Sequence, residues 1–176
     1  MSLHSVFPPE GVLSFTYPGN LILNGSFASG DSTGWTFTGA SVSQTLTHGT
    51  NEYSAKLPGG SSATILQALN GLPVDNILAL HYYASTTGAN AGSMGVLYTF
   101  SDAANLSVGS NYYAGISPIW DLNDLLAILQ SGRAHKHLTS LTISTGEPYE
   151  DEYVDDVVLT MNVAYGQSIL IYPPQI

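Results

Sequence analysis

Residues 77–84 read Ile-Leu-Ala-Leu-His-Tyr-Tyr-Ala, and residues 93–100 read Ser-Met-Gly-Val-Leu-Tyr-Thr-Phe. Both stretches alternate with a period of two. In the first, Leu78, Leu80 and Tyr82 share one face while Ala79, His81 and Tyr83 share the other. In the second, Met94, Val96, Tyr98 and Phe100 stand against Gly95, Leu97 and Thr99. A period of two lays one face on a core and turns the other toward water, which is the behaviour of a strand in an antiparallel sheet. Further apolar bursts bounded by turn residues fall at Val12–Tyr17, Asn20–Leu23, Trp35–Thr38, Ser54–Leu57, Ala63–Leu69, Leu138–Ser144, Tyr153–Met161 and Ser168–Tyr172. The Gly-rich stretches Pro58–Ser62 and Thr87–Ser93 are long enough only for loops, and the chain has no internal repeat. The layout is all-β. Two antiparallel sheets should enclose Trp35, Leu57, Leu80, Tyr82, Val96, Leu141, Val157 and Leu159.

One segment breaks the pattern. Leu122, Leu125, Leu126 and Leu129 fall at helical spacing, Asp121 is placed to cap, Asp124 sits in the favourable first turn, and Gly132-Arg133 suits an exit. The spacing predicts a short helix from about Leu122 to Gln130, docked as a lid over one end of the sandwich.

The 176 residues, 44% hydrophobic and 9% charged, are enough for one domain with its own core. Lys56, Arg133 and Lys136 are the only Lys or Arg residues, against 13 acids and a net charge of −10. Nothing basic is available to neutralise phosphates, so nucleic acid and anionic membranes are excluded as partners. The absence of cysteine excludes disulfides, zinc thiolates and thiol catalysis. No apolar run approaches the roughly 20 residues of a membrane span, so membrane insertion is not expected. The opening MSLHSVFPPEG lacks the basic and apolar regions of a signal peptide, which leaves a trimmed, a shortened and a never-exported chain all open.

The segment Asn20 to Trp35, NLILNGSFASGDSTGW, joins an apolar run, an Asn-Gly turn, Phe27, a Gly-Asp turn at Gly30–Asp31 and a tryptophan. It resembles the opening of carbohydrate-binding modules of the galactose-binding-like, jelly-roll type. YSAKL at Tyr53–Leu57, LQALNGL at Leu66–Leu72, ILALHYYAS at Ile77–Ser85 and YVDDVVL at Tyr153–Leu159 follow in the matching order. The resemblance covers about residues 20–161, and its weight lies in order and spacing rather than in any single motif. It implies a jelly-roll-like antiparallel β-sandwich over 20–161; outside it, the apolar runs Val12–Tyr17 and Ser168–Tyr172 predict an N-terminal extension with one strand at 1–19 and a C-terminal strand extension at 162–176. It also implies a non-catalytic module that binds a glycan, placed outside the cell or on a cell or spore surface. Similar folds serve as subunits of extracellular or spore-surface structures, so the alternative is a self-assembling structural subunit, a homo-oligomer using its terminal strands for contacts.

The same resemblance implies a structural calcium held by backbone carbonyls, a Glu after the Phe, and the first Asp of the terminal Asp-Asp-Val. Gly25 can supply a carbonyl and Asp155 the terminal carboxylate, but Ala28 stands where the Glu would be. By alternation Asp155 shares a face with Val157 and Leu159, toward the core edge, while Asp156 points away. A buried carboxylate needs a cation or several donors, and backbone amides of the Asn24–Phe27 turn would serve as well as calcium.

Eleven tyrosines and two tryptophans are the other resource. Sugar C–H groups pack on exposed aromatic faces, and hydroxyls are met by polar groups at the rim. His81 and Tyr83 on the outward face of their strand, with Tyr112, Tyr113 and Trp120 beyond it, form the candidate platform, whereas Trp35 belongs to the core. His135 and His137 flank Lys136 and read as a surface pair. No Gly-x-Ser-x-Gly elbow and no phosphate-binding loop is present, and the acids are concentrated in one stretch, so no catalytic residues are assigned.

Overall fold

A computed structural model describes residues 14–16, 19–87, 92–112, 120–146 and 150–164. The strands are β1 (Ser14–Thr16), β2 (Thr36–Thr38), β3 (Ser41–Ser43), β4 (Ser54–Leu57), β5 (Thr64–Pro73), β6 (Ile77–Thr86), β7 (Gly92–Phe100), β8 (Asn105–Tyr112), β9 (Asp121–Asp124), β10 (His137–Thr145) and β11 (Glu152–Ala164), with one helix, α1 (Leu126–Arg133). They form two sheets. The first runs β3-β4-β11-β6-β9 with β1 also paired to β11, and the second runs β2-β5-β10-β7-β8. The strand pairings are antiparallel. The all-β sandwich with one short helix is thus the architecture of the chain. Trp35, Leu57, Leu80, Tyr82, Val96, Leu141, Val157 and Leu159 are all buried between the sheets, as their alternation requires.

The long strand β11 organises the first sheet. One side pairs with β6, and the other is covered in turn by β4 at Glu152–Val154 and by β1 at Asn162–Ala164. Between them lies residues 20–25, which the sequence predicts to begin as a strand. It is instead a series of bends and turns, because side chains take over the ladder: Asn20 Nδ2 donates to the Val157 carbonyl (2.6 Å) and Asn20 Oδ1 accepts from Leu159 N–H (2.9 Å). The buried Gln67 then ties this segment to the second sheet, donating to the Leu23 carbonyl (2.9 Å) and accepting from Leu23 N–H (2.8 Å). Phe27 packs its ring 5.7 Å from Trp35, whose indole N–H donates to the Asn24 carbonyl. The Asn-Gly, Phe, Gly-Asp and Gly-Trp elements therefore close one knot against β11 and the core.

The helix differs from expectation. Residues 121–124 are strand β9, not helix, because the free edge of β6 captures their backbone, with Ala84 opposite Asp121 and His81 opposite Asp124. Helix α1 begins only at Leu126, whose N–H donates to Asp124 Oδ1 (3.1 Å), while Asp121, the expected cap, is the first residue of β9; the helix continues past Gln130 to Arg133. Leu125 and Leu129 enter the core, and α1 packs on β6 and a 3₁₀ turn at Val74–Asn76. Leu122 is 54% exposed, since on a strand it no longer shares a face with Leu129. Strands β3 and β8 also form where no strand is predicted, both as sheet edges or next to them. The N-terminal apolar run pairs within its own chain through β1. The predicted strand Ser168–Tyr172 lies outside the described residues.

Candidate functional site

On β6, Leu80, Tyr82 and Ala84 face the core, which turns His81 and Tyr83 to the outer surface of the first sheet. Directly opposite them on the edge strand β9 are Asp124 and Leu122. Trp120 immediately precedes β9. Across this surface folds the loop from β3 to β4, residues 44–53, and it carries His48 over β11 onto β6. The His48 imidazole stacks on the Tyr83 ring at 3.8 Å between centroids and 17° between planes, with Trp120 edge-on to His48 at 5.6 Å. His81 meets Tyr83 at 6.4 Å in a perpendicular arrangement. Four rings from three parts of the chain thus form one cluster, and each is partly exposed.

Asp155 and Asp156 anchor the loop. His48 N–H donates to Asp155 Oδ2 (3.0 Å), and Asn51 Nδ2 donates both to Asp155 Oδ1 (3.1 Å) and to Asp156 Oδ1 (2.9 Å). His48 Nδ1 lies 2.7 Å from Asp156 Oδ2. A carboxylate only accepts, so Nδ1 is the nitrogen that donates in this contact. Asp155 is fully buried, and burial pushes its carboxyl up to about 6 against the opposing pull of its His48, Asp156 and Asn51 donors.

The alternation argument places Asp155 on the wrong side of the strand. Asp155 pairs with Tyr83 but Val158 pairs with His81, so β11 spends three residues where β6 spends two. The extra residue is a bulge at Asp156, whose φ of 45° lies in the left-handed region. Val154 and Val157 therefore both face the core, while Asp155 faces outward with Tyr83 and is buried by the overlying loop. Its donors come from residues 48, 51 and 156 rather than from the Asn24–Phe27 turn.

The oxygens that the sequence offers to a calcium are hydrogen-bonded within the chain. Both Asp155 oxygens accept hydrogen bonds, the Gly25 carbonyl accepts Val157 N–H (2.9 Å), and the exposed Ala28 offers no oxygen beyond its backbone. Among the described residues no group of three His, Cys, Asp or Glu side chains is placed to hold a metal ion. Gly25 has a steric reason to be glycine, since a Cβ there would lie 2.1 Å from the Val157 carbonyl oxygen.

Of the other platform residues, Tyr112 ends β8, at the edge of the opposite sheet rather than in a loop, and its side chain lies outside the described residues, as does all of Tyr113. His135 bonds through Nδ1 to Asp75 (2.7 Å) at the surface. The structure brings His81, Tyr83 and Trp120 together, as the sequence expects, and adds His48, Asn51 and Asp156, which the sequence does not single out for a site. Tyr53–Leu57 marks where the loop ends, but nothing local indicates that the loop folds back over β6.

No protein-family model matches the chain. No curated protein matches it either. Solved structures do. The carbohydrate-binding module TmCBM61, solved in complex with β-1,4-galactotriose, is similar with a TM-score of 0.55 at 12% identity, over 81% of this chain and 99% of that one. A family 16 carbohydrate-binding module is similar with a TM-score of 0.53 at 19% identity, over 80% and 99%. The enzymatically active domain of bacteriophage CBA120 tailspike protein 4 reaches 0.57 at 12% identity, over 82% of this chain but only 21% of that one. The chain therefore has the jelly-roll fold of carbohydrate-binding modules, and about four fifths of it covers nearly the whole length of two of them.

Proposed function

We propose that this protein is a carbohydrate-binding module that takes a neutral glycan on the outer face of its first sheet, over Tyr83, His48 and Trp120. The observation that carries this reading is the cluster of four partly exposed rings joined to a fixed polar rim, the pairing of features that sugar recognition needs. The likeness in fold to modules of this kind, over nearly their whole length, supports it.

Charge narrows the ligand to neutral sugars. Lys56 is paired to Asp151 (2.5 Å), Lys136 to Asp102, and Arg133 donates to the Asn105 carbonyl (3.0 Å) while lying over Phe100. None of the three cations belongs to the ring cluster, which is bordered by Asp124 and Asp156. A uronate or sulfated sugar would meet carboxylates there without a counter-charge.

A panel of neutral and acidic oligosaccharides that includes β-1,4-galactotriose tests the reading. We expect binding confined to neutral members, and weakening by roughly 1–3 kcal/mol in Tyr83→Ala or Trp120→Ala, the share that central interface residues carry. Failure of every neutral glycan to bind, or full affinity in both variants, refutes the placement.

A further inference from the structure

The ring cluster is not made by the sheet alone. His48 belongs to a loop that starts at the β3 edge, yet its ring lies on Tyr83, two strands beyond β4. What carries it there is a pair of adjacent carboxylates on β11, made to face the loop together by the Asp156 bulge. One uncharged group, the Asn51 side-chain amide, bridges both carboxylates from a single nitrogen. The His48 backbone N–H and imidazole Nδ1 take one further oxygen on each. Four donor contacts thus fill the space between two negative groups that a cation would otherwise have to screen.

We propose that Asp155, Asp156 and Asn51 are positioning residues that seat the 44–53 loop without metal, so that His48 lies ready between Tyr83 and Trp120 before ligand arrives. The inference rests on the glycan reading for its purpose but not for its geometry. Preassembly matters because a loop ordered only on binding would subtract its ordering cost from the affinity.

The test uses the full chain and a readout that needs no ligand. Ring stacking on Tyr83 shifts the His48 imidazole proton resonances away from those of an exposed histidine. The Trp120 contact limits acrylamide quenching of the exposed fraction of tryptophan fluorescence. In Asn51→Leu and Asp155→Asn, we expect the His48 resonances to move to the exposed position and quenching to rise, with the far-ultraviolet circular dichroism of the sandwich unchanged. Asn51 is a loop residue, so Asn51→Leu keeps the test valid should Asp155→Asn fail to fold. Binding to the best neutral glycan of the panel should fall roughly ten-fold or more in the same variants. Millimolar EDTA should leave the wild-type His48 resonances in place. Resonances unmoved in Asn51→Leu, or displaced from wild type by EDTA and restored by calcium, overturn the proposal. Resonances that move as expected while glycan affinity stays the same leave the positioning intact and overturn the glycan reading of the ring cluster.

Discussion

Two glycines separate steric need from backbone need. A Cβ on Gly25 would lie 2.1 Å from the Val157 carbonyl oxygen, in backbone that has no room to yield because Gly25 and Val157 are hydrogen-bonded to each other. Gly49, at φ +59°, would meet nothing within 4 Å, so alanine there costs only its backbone conformation. We expect Gly25→Ala to lose about 3 kcal/mol and Gly49→Ala about 1 kcal/mol in urea unfolding. Equal losses would show that the approach to Val157 is not what holds the Asn20–Trp35 knot. Tyr98 is a different case. Its ring is fully buried, and its hydroxyl has no hydrogen-bond partner among the described residues. Burial pushes the phenol well above the usual tyrosine range, with Tyr82 adding to the effect. The neutral phenol's contribution to stability is complete below the unfolded value of about 10 and is lost as pH rises beyond it, since the unfolded chain then gives up a proton the folded chain retains. Tyr98→Phe should therefore gain about 1 kcal/mol at neutral pH by removing an unpaired buried group. It should also unfold at higher pH than wild type, read by tyrosinate absorbance alongside circular dichroism. A variant less stable than wild type would mean that the hydroxyl is satisfied.

Among the elements, β11 is the one on which others depend. Its free side is covered by three short pieces, β4, residues 20–25 and β1, none of which is long enough to stand alone. Removing residues 1–18 deletes β1 and its ladder to Asn162–Ala164, while the Asn20 contacts to Val157 and Leu159 remain. We expect the shortened chain to stay folded, to lose roughly 1–2 kcal/mol, the value of one or two ladder hydrogen bonds, and to remain the same size by light scattering. A loss of higher oligomers with unchanged melting would instead assign β1 to contacts between copies. Helix α1 shows how an edge competes with a local preference. Helical leucine spacing continues through Leu122 and Leu125, but the unpaired edge of β6 offers 121–124 hydrogen bonds that a first helical turn lacks, and the helix is pushed four residues along.

For the molecule as a whole, charge and shape act separately. The two lysines are paired with Asp151 and Asp102, Arg133 bonds the Asn105 carbonyl, and all three cations sit away from the ring cluster. The net charge of −10 then acts as a general repulsion toward acidic polymers. If the ligand is neutral and held by ring faces and a hydrogen-bonded rim, affinity should be flat from low to high salt, because no counterions are released on binding. Calorimetric titration of the best panel glycan across that range checks it. A slope that weakens binding as salt rises would require a charged ligand and a cationic contact not among those described.

Legibility in the sequence followed the range of the interaction. Period-two alternation is a local property, so the all-β class, the inner face of β7, the Leu80 and Tyr82 face of β6 and the burial of Trp35 could be read directly, and the order of the motifs pointed to the jelly roll; Leu78, read onto that same face, is 41% exposed and Ile77 is buried instead, because the β11 register shifts opposite Ala79 and Ile77. His81 and Tyr83 were legible for the same reason, as the alternation partners of the buried Leu80, Tyr82 and Ala84. Asp155 was legible as a buried carboxylate but not as an outward one, because a single left-handed residue at Asp156 resets the alternation and nothing in Asp-Asp-Val announces a bulge. His48 and Asn51 were not legible at all. They lie more than a hundred residues from Asp155 and Asp156 along the chain, and only the pairing of β11 beside β4 and β6 brings the loop over that surface. Alternation assigns a residue to one of two faces; which distant loop covers the outer face depends on strand order, and strand order is decided when the sheets pack.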